Sequence, residues 1–131
     1  MERLKERATV ARRALQTFQE ALKAPTPTSI DRDASIQRFE YTVEAVWRLA
    51  QRYLEVVEGI QEGSPKAAIR RCREVGLFDE ESTRVALEMV DDRNLTVHTY
   101  NEPLAQRIYS RLPQYAVILE SWVAKIESRL R

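Results

Sequence analysis

The residues best suited to chemistry lie in one short stretch, MVDDRNLTVHTYNEP, which runs from Met89 to Pro103. It contains His98, the only histidine of the chain, with Arg93 five residues before it and Tyr100 two residues after it. An imidazole exchanges a proton near neutral pH, and a guanidinium stabilises negative charge on a phosphate. The combination predicts RNA cleavage without metal, in which His98 transfers a proton at the 2′-hydroxyl or the leaving oxygen and Arg93 stabilises the phosphate.

Helical spacing predicts how these side chains are arranged. Arg93 lies four residues after Met89 and four before Val97, so it falls within the apolar stripe of the fourth predicted helix. A guanidinium that faces a core or an interface is costly unless it is paired. Asn94 lies one turn before His98, and its side chain can orient the imidazole by a hydrogen bond if the helix continues beyond that residue.

A structural interpretation of the same residues stays open. A lone histidine near the end of a helix is stabilised by the helix dipole and often caps carbonyl groups. Arg93 can pair with Glu40, Glu44 or Asp92 for purely structural reasons. Glu40 and Glu44 lie one turn apart beside the apolar stripe of the second helix. Either one of them orients Arg93 or His98 across a cleft, or both form ordinary salt bridges.

The composition favours one all-α domain that covers residues 1–131. Hydrophobic residues make up 44% of the chain and charged residues 31%, while three glycines and five prolines leave few turns for a sheet. The formal net charge of +1 excludes a globally basic surface for nucleic acid, although a local basic patch stays open. One cysteine, Cys72, cannot form an internal disulfide, and with a single histidine it cannot form a zinc site. We therefore expect no metal and no cofactor.

The start of the chain and its hydropathy predict the compartment. The first residues, MERLKERATVARR, are charged from the outset, so they do not resemble a secretion signal. No apolar run approaches the ~18 residues that a membrane span requires. We expect a cytoplasmic protein that does not bind a membrane.

Apolar periodicity and capping residues predict an up-and-down bundle of four long helices and one short helix. The first helix is expected to end at the proline-containing segment APTPTS, and Pro113 should kink or restart the last helix. The predicted elements are a helix over Glu2–Ala24, a helix from Ser29 as its cap to about Glu58, a short helix between Ser64 and Gly76, a fourth capped by Asp79, and a last capped by Asn101.

Three segments in the predicted helices resemble one known family. They are QRFEYTVEAVWR, SPKAAIRRCREVGLFDE and LEMVDDRNLTVHTYNE, in that order along the chain. DRNLTVHTY resembles the signature of the HEPN superfamily, in which an arginine and a polar residue precede a histidine. The tyrosine two residues after His98 is similar to that of the HepT branch, whose members are also called nucleotidyltransferase substrate-binding proteins.

The resemblance implies a fold, partners and a means of regulation. Members are helical bundles that usually dimerise, with the arginine and histidine of both subunits in a cleft at the dimer interface, which would explain an inward-facing Arg93. They form a complex with a minimal nucleotidyltransferase (MNT) protein, and several are metal-independent ribonuclease toxins. In such pairs the transferase can adenylylate the tyrosine that corresponds to Tyr100, which would place bulk and negative charge close to Arg93.

Three functions follow from the residues and the resemblance together. The first is a HepT-like endoribonuclease toxin, active as a homodimer or higher oligomer on RNA and regulated by an MNT partner. The second is a non-catalytic binding subunit that presents a substrate, or its own Tyr100, to a nucleotidyltransferase. The third is a structural adaptor in which Arg93 and His98 only hold the dimer together. An RNA-binding surface would have to use arginines on other helices, such as Arg48, Arg52, Arg70, Arg71 and Arg73. The alternative for each of these is an ordinary solvated helix face.

Overall fold

The computed structural model describes residues 1–131 and contains five α-helices and no strand. This confirms the predicted all-α bundle of four long helices and one short helix. The helices are α1 (Glu2–Ala21), α2 (Ser29–Tyr53), α3 (Pro65–Glu74), α4 (Glu80–Leu95) and α5 (Glu102–Arg129). A single apolar cluster with members from all five helices forms the core, so the site described below rests on one continuous packed interior.

Aromatic side chains join the long helices at the centre of this core. The Phe39 ring stacks on the Tyr115 ring with centroids 5.6 Å apart, and Phe18 lies against Phe39 at 5.9 Å. These three buried residues connect α1, α2 and α5. Each such aromatic pair stabilises the fold by about 0.5–1.5 kcal/mol beyond the area it buries, so the positions of α1 and α2 relative to α5 are fixed by packing.

The end of α1 comes earlier than its apolar stripe predicts. The helix ends at Ala21 with Leu22 as its C-cap, three residues before the predicted end at Ala24. Ala24 precedes Pro25, and a residue before proline is sterically disfavoured in helical conformation. The amide of Lys23 instead donates to the carbonyl of Glu20, which tightens the last turn.

The predicted cap of α2 is wrong by one residue. Thr28 is the N-cap, and Ser29 is the first helical residue. The Thr28 hydroxyl accepts from the Asp31 amide at 3.2 Å, and the Asp31 carboxylate accepts from the Thr28 amide at 2.8 Å. This reciprocal capping box needs an acidic or amide side chain three residues after the cap. Thr28 has Asp31 there, whereas Ser29 would have Arg32, which pairs instead with Glu102 at the start of α5.

The continuation of α2 to Glu58 has a different geometry from the rest of the helix. Residues Leu54–Glu58 form a π-helical turn, and Gly59 closes it with a left-handed φ of 70°. The Tyr53 hydroxyl donates to the Glu58 carboxylate at 2.6 Å and accepts from Arg129 at 3.1 Å. These bonds tie the end of α2 to the end of α5.

The caps of α3 and α4 confirm the predictions. The Ser64 hydroxyl accepts from the Ala67 amide, and Pro65 occupies the first turn of α3. Gly76 follows the end of α3 with a left-handed φ of 83°. The Asp79 carboxylate accepts from the Ser82 amide at 2.7 Å at the start of α4.

The only thiol of the protein lies inside the bundle. Cys72 is on the inner face of α3, fully buried and without a disulfide partner. Removal from water disfavours the thiolate, and burial raises the pKa of Cys72 to about 12. The thiol is therefore protonated and inert in the folded protein.

The last helix is continuous over its whole length. Asn101 caps α5 by accepting from the Leu104 amide at 3.2 Å, as predicted. Of the kink or restart predicted at Pro113, the restart is absent, since one helix runs from Glu102 to Arg129. Pro113 lies on the exposed side of α5, where water can bond the carbonyl that has lost its donor. No helix combines the length and the hydropathy that a membrane span requires.

Candidate functional site

The stretch with the histidine spans the end of α4 rather than lying on one helix. The α-helix ends at Leu95, and Thr96–His98 form a 3₁₀ turn. The buried Thr96 hydroxyl donates to the carbonyl of Arg93 at 2.7 Å, which stabilises this change of geometry. A 3₁₀ turn advances about 120° per residue rather than 100°. Val97 therefore leaves the apolar stripe of α4 and is 66% exposed, so its predicted place on that stripe is wrong.

Arg93 is half-buried and has no ion pair. Its Nη1 donates to the Thr96 hydroxyl at 3.3 Å. The ion pairs considered for it from the sequence are absent: Asp92 bonds Arg111, and Glu44 bonds Arg48. The guanidinium therefore keeps donors available for an external anion.

An open groove lies where α1, α2 and the end of α4 meet, and Arg93 is its contribution from α4. The groove has a volume of about 780 Å³. Glu40 and Glu44 line it together with Arg93, so three residues singled out from the sequence face one concavity. The full lining is Arg3, Glu6, Arg7 and Val10 from α1, Gln37, Glu40, Tyr41, Glu44, Ala45 and Arg48 from α2, and Arg93.

Of the acidic residues that line this groove, Glu44 is the one whose carboxylate is held by hydrogen bonds. Partial burial raises the pKa of its carboxyl, but hydrogen bonds from Trp47 and Arg48 and the charges of Arg48 and Arg93 outweigh that effect. The net pKa lies below the ordinary value, so Glu44 is a carboxylate at neutral pH. The donors are Trp47 Nε1 at 2.9 Å and Arg48 Nε at 3.0 Å. The charge of Arg93 thus helps to lower the pKa of Glu44, although the two side chains are not hydrogen-bonded to each other.

The two acidic residues do not orient the histidine or the arginine directly. Glu40 is half-buried and makes no ion pair, and neither Glu40 nor Glu44 hydrogen-bonds Arg93 or His98. The structural interpretation predicts ordinary salt bridges for both residues; Glu44 forms one with Arg48, whereas Glu40 forms none. Both carboxylates are therefore parts of the groove wall.

His98 and Tyr100 form an exposed pair outside the groove. His98 Nδ1 lies 3.2 Å from the Tyr100 hydroxyl, and the rings meet edge to face with centroids 5.8 Å apart. Tyr100 is 81% exposed. Asn94 is exposed and makes no hydrogen bond to the imidazole. That prediction required the helix to continue past His98, and α4 ends at Leu95. The phenol is thus available to another macromolecule, with an imidazole beside its oxygen.

Sequence reasoning missed a buried network beside Arg93. Asp92 is 3% exposed, and its carboxylate accepts from Arg111 at 3.1 Å and from the Tyr115 hydroxyl at 2.5 Å. Burial and the adjacent Asp92 charge raise the pKa of Tyr115. The Tyr115 hydroxyl also lies 3.1 Å from the Glu88 carboxylate. One signal of this network is visible in the sequence, because Asp92 lies three residues after the apolar Met89. The partners of Asp92 are on α5, however, and cannot be identified from local spacing.

The groove and the His98–Tyr100 turn differ in the chemistry that each can perform. The groove offers guanidinium groups and carboxylates around a half-exposed tyrosine, which suits the binding of a polar ligand. The turn offers a solvent-exposed phenol next to an imidazole, which suits proton transfer from that phenol. No group of three or more His, Cys, Asp or Glu side chains is placed to bind a metal ion.

The family is shown by a match over nearly the whole chain. The family model described as "Nucleotidyltransferase substrate binding protein like" matches residues 6–128. The chain belongs to this family. A search of the curated proteins finds no match. The range that matches this nucleotidyltransferase substrate-binding-like family includes most of the groove and the whole His98–Tyr100 turn.

Two solved structures resemble the fold. A protein of Thermus thermophilus has 52% sequence identity and a TM-score of 0.86, over 88% of this chain and 98% of that one. A protein of Haemophilus influenzae has 18% identity and a TM-score of 0.73, over 92% of this chain and 98% of that one. Its structure is described as revealing the fold of a substrate-binding domain of a nucleotidyltransferase. At this identity the second similarity concerns the fold alone.

Proposed function

We propose that this protein is the binding subunit of a two-component nucleotidyltransferase. It would bind a separate minimal nucleotidyltransferase chain and present the hydroxyl of Tyr100 to that enzyme. Membership of the substrate-binding-like family supports the binding role, and it favours this alternative over a toxin. The observation that carries the presentation of Tyr100 is its exposed phenol, paired with His98 at the α4–α5 turn.

The geometry supports a defined chemical step at that phenol. The Tyr100 oxygen would attack the α-phosphorus of a nucleoside triphosphate bound to the partner enzyme. One phosphorus–oxygen bond forms to the phenol, and pyrophosphate leaves. The phenolic proton passes to Nδ1 of His98, which lies 3.2 Å from the oxygen. The product is a nucleotidylated tyrosine, whose added negative charge alters the surface at the turn.

The test combines complex formation with mass spectrometry. The protein is mixed with a minimal nucleotidyltransferase from the same organism and with ATP and magnesium, and the mixture is analysed by size-exclusion chromatography and intact mass. We expect a stable complex and the addition of one AMP, which peptide mapping places on Tyr100. His98→Gln should slow the addition at least about tenfold if the imidazole accepts the proton.

Matched variants separate the two parts of this proposal. Tyr100→Phe should form the complex and gain no AMP, whereas Tyr41→Phe, another exposed tyrosine, should be modified like the wild type. A complex without modification would refute the presentation of Tyr100. Absence of any complex would refute the binding subunit itself.

A second candidate function is a metal-independent endoribonuclease of the HepT branch of the HEPN superfamily. The observation that favours it is Arg93, whose guanidinium faces the open groove without an ion pair. Within one chain His98 lies outside that groove, so this function requires a homodimer or higher oligomer that brings Arg93 and His98 of different subunits together. Cleavage of RNA in excess chelator, lost in folded Arg93→Ala and His98→Ala, would establish it over the non-catalytic subunit.

A further inference from the structure

Arg32 joins the start of α2 to the start of α5. Most of the arginines considered for an RNA-binding surface pair instead with a glutamate that is near in the chain: Arg48 with Glu44, Arg52 with Glu55, Arg71 with Glu62, and Arg73 with Glu80. The partner of Arg32 is Glu102, 70 residues further along. Arg32 Nη1 donates to one oxygen of that carboxylate at 2.7 Å, and Nη2 donates to the other at 3.1 Å. A bond at two points fixes the relative orientation of the two side chains as well as their distance.

The guanidinium of Arg32 is buried although it lies near the N-terminus of a helix. Its side chain is 7% exposed, and its Nε donates to Asp33 at 3.0 Å. The positive end of the α2 dipole disfavours a cation there, and a buried charge is costly unless it is paired. Arg32 therefore adds little to the stability of α2 by itself. What it contributes to the tertiary structure is the contact with α5.

The Arg32 side of this contact is held in place by α2. The capping box between Thr28 and Asp31 closes the first turn, and the Arg32 amide donates to the Thr28 carbonyl at 3.0 Å. The Glu102 side chain, by contrast, is 71% exposed. Hydrogen bonds from Arg32 lower the pKa of Glu102 below its ordinary value, so its carboxyl is ionised at neutral pH. Arg32 is thus the fixed partner, and Glu102 is the side chain that it orients.

The segment that carries Tyr100 has no anchor in the core. Thr96 and Ala105 are buried, but no residue between them is buried. The other side-chain hydrogen bonds of this segment connect near neighbours in the chain. The contact between Arg32 and Glu102 is the one side-chain bond that joins the segment to a distant part of the chain. The position of the segment therefore depends on it.

Tyr100 is coupled to Glu102 through the residue between them. The Asn101 amide donates to the His98 carbonyl at 3.0 Å, which closes the turn around Tyr100. The Asn101 side chain caps α5, whose first residue is Glu102. The turn and the first residues of α5 therefore move together. An anchor at Glu102 also fixes the direction in which the backbone presents the phenol.

We infer that Arg32 is a positioning residue for the nucleotidylation of Tyr100. Through Glu102 it fixes the orientation in which the α4–α5 turn presents the phenol and the imidazole to the nucleotidyltransferase. The inference rests on the proposed function and deepens it. A displacement of about 1 Å at a reacting group lowers a rate by as much as about 100-fold. An anchor on an otherwise exposed segment therefore acts on the rate of transfer and not on the binding of the nucleotide.

The experiment compares two carboxylates of α5, each held by an arginine of another helix. Glu102→Gln weakens the contact with Arg32. Glu120→Gln is the matched control, because Arg12 Nη1 of α1 bonds both oxygens of Glu120, about 27 Å further along α5. AMP addition by the nucleotidyltransferase is followed by intact mass at several ATP concentrations. We expect kcat to fall about tenfold in Glu102→Gln and less than about twofold in Glu120→Gln. The KM for ATP should stay unchanged in both, because the partner enzyme binds the ATP.

Variants of Arg32 and the free protein add readouts that a general loss of stability would not give. Arg32→Lys keeps the charge but not the two-point bond, so its kcat should lie between those of the wild type and Arg32→Gln. The double variant Arg32→Gln/Glu102→Gln should be no slower than the slower single variant, since both changes remove one contact. In the free protein, hydrogen exchange of the Asn101 amide should be about tenfold faster in Glu102→Gln and unchanged in Glu120→Gln.

Two outcomes would overturn the inference, provided that circular dichroism shows folded protein. The first is a kcat of Glu102→Gln equal to that of the wild type or to that of Glu120→Gln. The second is additive losses in the double variant, which would mean that Arg32 and Glu102 act separately. A wild type that gains no AMP would instead refute the proposed function. The anchoring by Arg32 is then decided in the free protein, where equal Asn101 exchange in Glu102→Gln and the wild type would contradict it.

Discussion

Asp92 and Arg93 are adjacent at the end of α4, but they differ in whether their charge is paired inside the protein. Asp92 is buried, and Arg111 and Tyr115 of α5 take up its carboxylate. Arg93 is half-buried at the rim of an open groove and has a single hydrogen bond to a neighbouring threonine. The first arrangement satisfies the charge inside the protein, and the second leaves donors available to a ligand.

Whether a charged side chain has partners inside the protein separates the charges that stabilise the fold from those that are available to a ligand. Residue type separates them less clearly. A buried carboxylate without partners would be strongly destabilising, so Asp92 and its partners depend on one another. Arg93 is open to solvent on one side and depends little on its neighbours. Stability should therefore respond to Asp92 and ligand binding to Arg93, and the following variants test this division.

The largest effect is expected at Asp92. Asp92→Ala removes the acceptor of both Arg111 and Tyr115, and we expect a loss of about 2–3 kcal/mol in the free energy of unfolding. Urea denaturation followed by circular dichroism measures it. Asp91→Ala is the control: Asp91 forms an exposed salt bridge with Lys66, which contributes about 0.5 kcal/mol or less. Equal losses in the two variants would contradict the conclusion that the buried Asp92 stabilises the fold more than the exposed Asp91 does.

Tyr115→Phe should have an intermediate effect. The substitution removes the hydroxyl that donates to Asp92 but keeps the ring stacked on Phe39. Arg111 continues to pair with the carboxylate, so we expect a loss of about 1 kcal/mol. The same denaturation measurement applies, and a loss larger than that of Asp92→Ala would mean that the phenol has a role apart from this network.

Arg93→Ala should change stability little. It removes one hydrogen bond to Thr96 and no ion pair, so we expect a change within about 0.5 kcal/mol and an unchanged thermal midpoint to within a few degrees. Differential scanning calorimetry and light scattering measure the midpoint and the oligomeric state. Loss of a wild-type dimer, or a drop comparable to that of Asp92→Ala, would favour the structural adaptor instead.

The smallest effect concerns the pKa of Glu44. The charge of Arg93 is one of the influences that lower this pKa, so Arg93→Gln should raise it slightly towards the ordinary value. Because the folded pKa is depressed, Glu44 contributes stability above its unfolded pKa, and this contribution is lost as the pH falls through the folded pKa. NMR titration of the Glu44 side-chain carbon detects the shift. Arg70→Gln should leave the titration unchanged, and an unchanged Glu44 pKa in Arg93→Gln would place Arg93 away from the groove wall.

The helices and their caps were predictable because the signals are local. Ser64, Asp79 and Asn101 each bond an amide three residues ahead, and such contacts follow from spacing alone. The cap of α2 was misplaced because Ser29 and Thr28 are both good capping residues. Only the reciprocal bond with Asp31 decides between them.

The candidate site was predictable only in part. The sequence placed Arg93 on an inward line and suggested Glu40 and Glu44 as neighbours, and the groove brings these three together. It did not predict that His98 lies outside the groove lined by Arg93, because the apolar spacing carries no signal for the change from α-helix to 3₁₀ turn at the buried Thr96. The partners of Asp92 lie on α5 and emerge only from tertiary packing.

The single thiol gives the protein a built-in reporter of global opening. Cys72 is fully buried and its pKa is raised to about 12, so almost no thiolate exists in the folded state near neutral pH. An alkylating reagent therefore reacts only when the bundle exposes α3, and as long as reclosing is faster than labelling, the labelling half-life in water follows the opening equilibrium. Motion confined to the groove or to the His98–Tyr100 turn leaves that half-life unchanged, so one mass measurement over time separates local flexibility at either site from unfolding of the whole chain.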